Sequence, residues 1–153
     1  MKESQPFRYY LRVRYGECDQ QGVVFNARYG EYVDLACTEF LHVALGRVEP
    51  FAGFFEMQVV KLLIEWTAPA RNNDVLEISV MLKKLGTTSF TLGFEMRKPG
   101  ESAAIVTAET VNVHVDAKTW KKAALSDDLR RQLSTGADGR IVDHAGHFTP
   151  QMT

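Results

Sequence analysis

The sequence predicts an α+β fold in which a curved, five-stranded antiparallel sheet packs around one long helix. Three observations predict it. One stripe of apolar residues early in the chain has the three- and four-residue spacing of a helix. Five other segments have the alternating or continuous apolar pattern of strands. The last four of these strands are joined by short turns, and connections of that length imply antiparallel pairing.

The first strand and the long helix come from the opening third of the chain. Residues 7–15 alternate between apolar and mostly basic side chains, which predicts a half-buried strand with Tyr9 inward and Tyr10 on the polar face. Asn26 stands where a helix N-cap belongs, and Gly46 is a natural C-terminal stop. The helix stripe between them is formed by Tyr29, Tyr32, Val33, Ala36, Cys37, Phe40, Leu41 and Ala44.

Four further strands and a short helix are predicted in the rest of the chain. The strands are expected at residues 57–66, 75–85, 89–98 and 103–116, with Gly-, Pro- and Asn-containing turns between them. The apolar segment Phe51–Phe55 is predicted to be a packed loop. A short helix is expected over Asp127–Leu133. The tail after it lacks periodicity, and its last residues are expected to be poorly ordered.

Length, charge and cysteine content narrow the class of protein. The 153 residues, with a mass of 17.2 kDa, predict a single domain over residues 1–153, with a core at about 7–134 and a C-terminal tail at 135–153. Lysine and arginine number 18 against 19 aspartate and glutamate, so the net charge of −1 favours neither nucleic acid nor an anionic membrane surface as a partner. Two cysteines are too few for a disulfide framework, and no segment has the pattern of a signal peptide or a membrane span. A cytoplasmic location is therefore expected.

The segment richest in candidate chemistry is residues 14–29, which places Asp19 shortly before the predicted start of the helix. A carboxylate held there would lie beside unpaired backbone N–H groups, which can polarise a carbonyl oxygen and stabilise an oxyanion. An acid combined with an oxyanion site suits acyl transfer. The alternative is that Asp19 and Gly22 form a surface turn and that Asn26 only caps the helix.

The same segment resembles the signature of a known enzyme family. The residues that carry the likeness are Tyr15-Gly16-Glu17-Cys18-Asp19-x-x-Gly22-Val23-Val24-Phe25-Asn26-x-x-Tyr29. Further blocks follow in the family's order, at residues 66–70 with Asp74, at 85–90 and at 111–116. Over about residues 8–134, the chain resembles the hotdog-fold acyl-CoA thioesterases of the 4-hydroxybenzoyl-CoA thioesterase type.

This resemblance implies a fold, an assembly and a reaction. In the hotdog fold, a curved antiparallel sheet wraps one long helix, and two subunits join their sheets. A homodimer or homotetramer with active sites at the subunit interface is implied. Asp19 would act as nucleophile or as general base for water, while a backbone N–H at the helix start would bind the thioester oxygen. No metal or redox cofactor is implied, because coenzyme A is part of the substrate.

The resemblance also implies which residues bind the substrate. The implied oxyanion and substrate-binding residues are Gly22, Val24, Phe25, Asn26, Ala27 and Tyr29, together with Thr88 and Ser89 of the partner subunit. Lys83 and Lys84 flank the same strand and are candidates for binding the phosphates of coenzyme A. The alternatives are that the hydroxyls only pair with backbone groups and that the lysines are scattered surface charges.

Other reactive side chains are assigned structural roles. Glu17 is expected to be solvated, and Cys18 is expected to be a small packed residue rather than a nucleophile. Cys37 stands on the apolar helix stripe and is predicted to lie in the core. His144 and His147 have a spacing seen in metal sites, but without a third ligand they are predicted to be a coincidental pair in the tail.

The leading prediction is an enzyme that hydrolyses an acyl-CoA thioester to a free carboxylic acid and coenzyme A. One alternative is the same hydrolysis with acyl carrier protein, rather than coenzyme A, as the carrier of the acyl group. The enzyme would then need a basic surface to bind that acidic protein. The other alternative is a noncatalytic module that binds acyl-CoA. The presence of Asp19 favours the enzyme.

Overall fold

The computed structural model describes residues 5–46 and 55–148. Its helices and strands follow the predicted order and confirm the α+β class. The elements are β1 Phe7–Arg12, a 3₁₀ turn Tyr15–Glu17, α1 Arg28–Ala44, β2 Glu56–Trp66, β3 Val75–Leu85, β4 Ser89–Arg97, β5 Val106–Val115, α2 Asp127–Thr135 and β6 Ile141–Asp143. Gly46 follows the end of α1 at a φ of +65°, a left-handed conformation that favours glycine.

The sheet has the order β2-β5-β4-β3-β1-β6. The five strands predicted from the sequence are present, and neighbours among them pair antiparallel. The prediction of only five strands was wrong, because β6 adds a sixth that runs parallel to β1, with Arg8 opposite Ile141 and Tyr10 opposite Asp143. Three residues are too few to show a strand period, and this pairing joins the two ends of the chain, so no local pattern indicates it.

Helix α1 packs against one face of the sheet, and the two form the hydrophobic core. The buried residues of α1 are the eight of the predicted stripe, from Tyr29 to Ala44. Opposite them, the inward-facing residues of the two central strands β3 and β4 are almost completely buried, namely Leu76, Ile78, Val80, Phe90, Leu92, Phe94 and Met96. In the described part of the chain, no helix is long and apolar enough to cross a membrane.

The first strand is shorter than predicted, and its outer face is covered. β1 ends at Arg12 rather than at Tyr15, and the Tyr15 side chain is 83% exposed in the 3₁₀ turn. Tyr10, predicted to face solvent, is buried because the His147 ring stacks on it with 5.2 Å between ring centroids. The Phe148 ring meets Tyr10 edge-on at 5.0 Å. Two aromatic residues of the tail therefore cover a face that the strand pattern alone predicts to be open.

The tail is built around the carboxylate of Asp143, the last residue of β6. One oxygen accepts hydrogen bonds from the backbone N–H groups of Ala145 and His147, at 2.9 and 3.1 Å. The other oxygen accepts from the N–H of Phe148 at 3.0 Å. These bonds fold residues 143–148 back over β1. Two predictions fall on residues outside the described part of the chain: the poorly ordered final residues, and the packing of Phe51 to Phe54. The last residue of that predicted packed loop, Phe55, is described and is buried.

Candidate active site

The loop that joins β1 to α1 is held by backbone hydrogen bonds at several points. The N–H of Asp19 donates to the carbonyl of Val23 at 2.8 Å, which closes a tight hairpin. The N–H of Val24 donates to the carbonyl of Ala70 at 2.9 Å, and Val23 forms a bridge with Arg71. The loop is therefore fastened to the connection between β2 and β3, and Asp19 is placed by a fixed scaffold.

Asp19 begins the four-residue turn of this hairpin. Its carbonyl accepts from the N–H of Gly22 at 3.0 Å, and its side-chain Oδ1 accepts from the N–H of Gln21 at 2.8 Å. Gly22 has a φ of +78°, so the turn requires the glycine that the sequence places there. The surface turn that is the alternative interpretation of Asp19 and Gly22 is thus present. Asp19 remains exposed within it, so its carboxylate is open to an approaching substrate.

The start of α1 lies just beyond this turn, and its cap differs from the prediction. The N-cap residue is Ala27, whose backbone is helical, and no side chain caps the helix. The prediction that Asn26 caps the helix was wrong, because the N–H groups of Arg28 and Tyr29 bond to the carbonyls of Phe25 and Asn26 instead. Within the described residues, the N–H groups of Asn26 and Ala27 have no hydrogen-bond acceptor. They remain available to an oxygen of a ligand.

The residues between the turn and the helix divide into an open and a buried set. Phe25, Asn26 and Ala27 are exposed, and Phe25 exposes 53% of its surface. Val24 is buried, and the N–H of Phe25 donates to the carbonyl of Glu17 at 2.9 Å. Phe25, Asn26 and Ala27 therefore form an accessible surface next to Asp19. Val24 instead packs in the core and anchors the loop through its hydrogen bond to Ala70.

Tyr29, a predicted substrate-binding residue, lies in the core. Its ring meets those of Tyr32 and Trp66 edge-on, with centroid distances of 5.7 and 6.1 Å. Its hydroxyl accepts a hydrogen bond from the N–H of Ala70 at 3.2 Å. Tyr29 therefore connects α1 to Ala70, the residue whose carbonyl also accepts the hydrogen bond from Val24.

The other predicted site residues lie at the far end of the sheet. Thr88 and Ser89 precede or begin β4, next to the end of β3, whereas the Asp19 loop contacts the connection before Val75. The eleven residues of β3 separate the two ends by about 33 Å at the usual rise of a strand. A single chain therefore does not bring Asp19 together with Thr88 and Ser89.

Lys83 and Lys84 share the sheet face that points away from α1. An irregularity in the register between Leu82 and Lys84 lets both lysines lie on this face, with Lys83 over Gly93 and Lys84 opposite Thr91. Both side chains are exposed. They lie at the same end of the sheet as Ser89.

The family model of the Thioesterase-like superfamily matches residues 13–133 of this sequence. The chain belongs to this superfamily. Among its relatives is the acyl-CoA thioester hydrolase YbgC of Escherichia coli O157:H7, which is 35% identical over 125 residues, covering 80% of this chain and 92% of the relative. The match begins just after β1 and ends in α2, so it includes the Asp19 loop and the four strands β2 to β5.

Solved structures confirm the hotdog fold of this thioesterase-like chain. A variant of 4-hydroxybenzoyl CoA thioesterase in complex with 4-hydroxybenzoyl CoA superposes with a TM-score of 0.74 at 18% identity, covering 86% of this chain and 100% of the other. A 1,4-dihydroxy-2-naphthoyl-CoA thioesterase from Synechocystis superposes with a TM-score of 0.73 at 21% identity, covering 83% and 94%.

Glu17 is the residue of this thioesterase-like loop that sequence reasoning missed. It was predicted to be solvated, yet its side chain is buried and accepts hydrogen bonds from the backbone N–H of Arg14 at 2.8 Å and from its guanidinium at 3.1 Å. Burial raises the pKa of Glu17, but the hydrogen bonds and the positive charge of Arg14 outweigh it, so the pKa is lowered overall. The three-residue spacing of Arg14 and Glu17 was the available signal.

The two cysteines have the predicted structural roles, and the two histidines of the tail contact tyrosines of β1. Cys18 packs against the core, and Cys37 is buried, which raises the pKa of its thiol to about 12. His144 lies with its Nδ1 3.0 Å from the Tyr9 hydroxyl, and His147 stacks on Tyr10. Among the described residues, no group of three or more acidic, histidine or cysteine side chains is arranged to hold a metal ion.

Proposed function

We propose that this thioester hydrolase cleaves acyl-CoA to a free carboxylic acid and coenzyme A, with Asp19 as the reacting acid. One observation carries the proposal: an exposed carboxylate begins a rigid turn shortly before α1, and the N–H groups of Asn26 and Ala27, the two residues that precede this helix, lack acceptors among the described residues. The 35% identity to an acyl-CoA thioester hydrolase supports the substrate class.

Each part of this arrangement has a chemical task. The N–H of Asn26 or Ala27 donates to the thioester oxygen and stabilises the negative charge that develops on it during attack. Either the Asp19 carboxylate attacks the carbonyl carbon and forms a mixed anhydride that water then hydrolyses, or it takes a proton from an attacking water. In both routes the carbon–sulfur bond breaks and coenzyme A leaves as a thiolate.

No metal or redox cofactor enters this proposal. A thioester carries a good leaving group, so a placed carboxylate and preorganised N–H donors suffice for the reaction. Coenzyme A is part of the substrate rather than a resident cofactor. The same chemistry operates in a reducing cytoplasm, where Cys18 and Cys37 stay free thiols.

We further propose that the working unit is a homodimer, alone or within a homotetramer, with active sites at the subunit interface. Asp19 and Ser89 lie at opposite ends of one sheet, so a site that uses both takes Ser89 from the partner subunit. The edge strand β2 supports this assembly, because its apolar side chains are exposed. They are Val59, Val60, Leu62, Leu63 and Trp66.

The test is thiol release from short, long and aryl acyl-CoA substrates by the wild type, by Asp19→Asn and by Asp138→Asn. Asp138 is an exposed aspartate of the tail, so its variant controls for the loss of one surface charge. Turnover should fall by at least about a hundredfold in Asp19→Asn and stay unchanged in Asp138→Asn. Equal turnover in all three would disprove the role of Asp19.

Two other outcomes would replace the proposed function. Release from acyl carrier protein thioesters alone would identify the carrier as that protein. Binding of acyl-CoA without any thiol release would leave a noncatalytic binding module. Circular dichroism and thermal melting of each variant establish that the proteins compared are equally folded.

A further inference from the structure

Helix α2 holds the turn between β3 and β4 with a charged side chain. The guanidinium of Arg130 donates a hydrogen bond from Nη1 to the carbonyl of Gly86, with 2.7 Å between nitrogen and oxygen. Arg130 is half-buried, and within residues 5–46 and 55–148 it forms no ion pair with a carboxylate. Its charge is therefore directed at residues 86–89, called the Gly86 turn below.

The other carbonyls of the Gly86 turn are also bonded. The carbonyl of Thr87 accepts from the N–H of Leu125 at 2.9 Å, and the carbonyl of Thr88 accepts from the N–H of His114 at 2.8 Å. The turn closes on itself, because the N–H of its first residue donates to the carbonyl of its last at 2.7 Å. Contacts from α2, from the segment before α2 and from β5 thus fix the backbone of the turn.

The N–H groups in the middle of the Gly86 turn are open, in contrast to its carbonyls. Among the described residues, the N–H groups of Thr87 and Thr88 have no acceptor. The carbonyl of Gly86 and the N–H of Thr87 belong to one peptide group. A cation bonded to that carbonyl polarises the peptide and strengthens its N–H as a donor. Arg130 therefore both holds the turn and prepares it to bind an oxygen of a ligand.

Helix α2 is a firm support for Arg130. The Ser126 hydroxyl caps the helix by accepting from the N–H of Leu129 at 3.2 Å, and Leu133 is buried in the core. At the other end of α2, a Cβ on Gly136 would meet the carbonyl oxygen of Ala44, the last residue of α1. Because these contacts dock α2 without Arg130, the guanidinium is free to serve the turn rather than the attachment of the helix.

We propose that Arg130 is a positioning residue for the active site that its chain shares with the partner subunit. Arg130 orders the Gly86 turn, and the turn presents Thr88 and Ser89 to the thioester on which the partner's Asp19 acts. Arg130 does not touch the substrate and acts through the Gly86 carbonyl. This inference rests on the proposed function, because it takes Thr88 and Ser89 as part of a subunit-shared site.

The first experiment compares the kinetics of acyl-CoA hydrolysis in the wild type, Arg130→Met, Arg130→Lys and Arg131→Met. Arg130→Met keeps an unbranched stem and removes the donor, so kcat should fall about tenfold while KM stays within about threefold, since a loosened turn misplaces the groups around the reacting carbonyl. Arg130→Lys should keep most of the kcat, because an ammonium also donates to a carbonyl.

The matched control is the neighbouring arginine on α2. The Arg131 side chain is 69% exposed and pairs with Asp128 at 2.8 Å, so Arg131→Met removes the same charge without touching the Gly86 turn. Its kcat and KM should equal those of the wild type. Equal kinetics in Arg130→Met and Arg131→Met would overturn the proposal.

The second experiment tests whether Arg130 serves the partner's site. Asp19→Asn and Arg130→Met chains with different affinity tags are co-expressed, and the mixed dimer is purified. One of its sites carries both changes, and the other combines an unchanged Asp19 with an unchanged Gly86 turn. The mixed dimer should therefore have about half the turnover of the wild type. Turnover no higher than that of the Arg130→Met protein would show that Arg130 acts within its own chain, and the proposal would be wrong.

The third experiment measures the turn without any turnover. The Gly86 N–H, which closes the turn, should exchange with solvent about tenfold faster in Arg130→Met, whereas the N–H of the buried Leu92 in β4 should exchange as in the wild type. Equal acceleration at both positions would mean that Arg130 stabilises the whole fold, which would overturn the positioning role.

These measurements separate the failure of this inference from the failure of the proposed function. If the wild type hydrolyses acyl-CoA and Asp19→Asn does not, but Arg130→Met matches the wild type, only the role of Arg130 is overturned. If the wild type releases no thiol and the Gly86 N–H still exchanges faster in Arg130→Met, Arg130 orders the turn, and the hydrolase with its shared site is overturned.

Discussion

The hydroxyl of Tyr29 accepts a hydrogen bond from the buried backbone N–H of Ala70, with 3.2 Å between nitrogen and oxygen. The carbonyl of the same residue accepts from the N–H of Val24 at 2.9 Å. Ala70 therefore ties both the long helix and the Asp19 loop to the connection between β2 and β3. The relative position of the acid and the helix start depends on this shared attachment.

Removing the Tyr29 hydroxyl should loosen that attachment. Tyr29→Phe leaves the buried N–H of Ala70 without an acceptor, so we expect the free energy of unfolding to fall by about 1–3 kcal/mol. Urea denaturation measures the loss, and thiol release should fall with it. Tyr15→Phe is the stability control, since Tyr15 is 83% exposed. A Tyr29→Phe protein as stable as the wild type would contradict the assignment.

Gly22 should be essential to the geometry of the Asp19 turn. Its φ of +78° is unfavourable for a residue with a Cβ, so Gly22→Ala should cost about 1–2 kcal/mol of stability or open the turn and lower kcat. Gly16→Ala is the matched control, because Gly16 has no positive φ and an added Cβ meets no atom within 4 Å. Thermal melting and thiol release of the two variants compare them directly, and equal behaviour would refute the prediction.

Much of the fold follows from local patterns in the sequence. The strand Val75–Leu85 was predicted with both of its ends, because Asp74 and Gly86 border a segment rich in β-branched and bulky apolar residues. The eight-residue helix stripe was also predicted completely. The burial of Tyr10 and the three-residue strand β6 were not predicted. Both depend on contact between β1 and the tail, which are far apart in the sequence.

The candidate site was predictable in its residues but less so in its geometry. The motif located Asp19 and Gly22, and the structure places both in one turn. The motif did not indicate that no Asn26 side chain caps the helix. Backbone carbonyls compete with an N-cap side chain for the same N–H groups, and the spacing of residues in a sequence does not show which of them bonds. The burial of Glu17 was missed for a related reason, as it depends on contact with Arg14 and Tyr32 in three dimensions.

The lowered pKa of Glu17 makes stability depend on pH. Because the folded-state pKa lies below the unfolded value of about 4.3, the charged group stabilises the fold above that value and stops doing so as pH falls through the lower folded pKa. We expect Glu17→Gln to be less stable than the wild type from about pH 5 upward, with the difference shrinking in more acidic buffer. Urea denaturation at several pH values measures this, and a gap that widens on acidification would contradict it. Turnover should persist in the folded variant, because Glu17 is buried.

The Asp143 carboxylate should hold the tail over β1. Asp143→Ala removes the acceptor of three backbone N–H groups, so hydrogen exchange at residues 145–148 should quicken by about tenfold or more, which corresponds to about 1.4 kcal/mol. Asp138→Ala is the control, since Asp138 is an exposed aspartate of the same tail. Exchange that stays slow in Asp143→Ala would show that the ring contacts of His147 and Phe148 suffice.

Association through the edge strand β2 should be required for turnover. Val60 lies at an irregularity in the pairing of β2 with β5 and exposes 61% of its surface, so a charge there does not disturb the core of one chain. Val60→Glu should therefore produce a folded monomer, because like charges would face each other across a symmetric edge. The monomer should lose most of its thiol release, since Ser89 of the partner subunit no longer reaches Asp19.

Sedimentation and thiol release over a dilution series measure both effects on the same samples. Ile141→Glu is the matched control, because Ile141 is an exposed apolar residue on the opposite edge strand β6. It should leave both assembly and turnover as they are in the wild type. A Val60→Glu monomer with full activity would show that each chain carries a complete site, and the proposed subunit-shared site would be wrong.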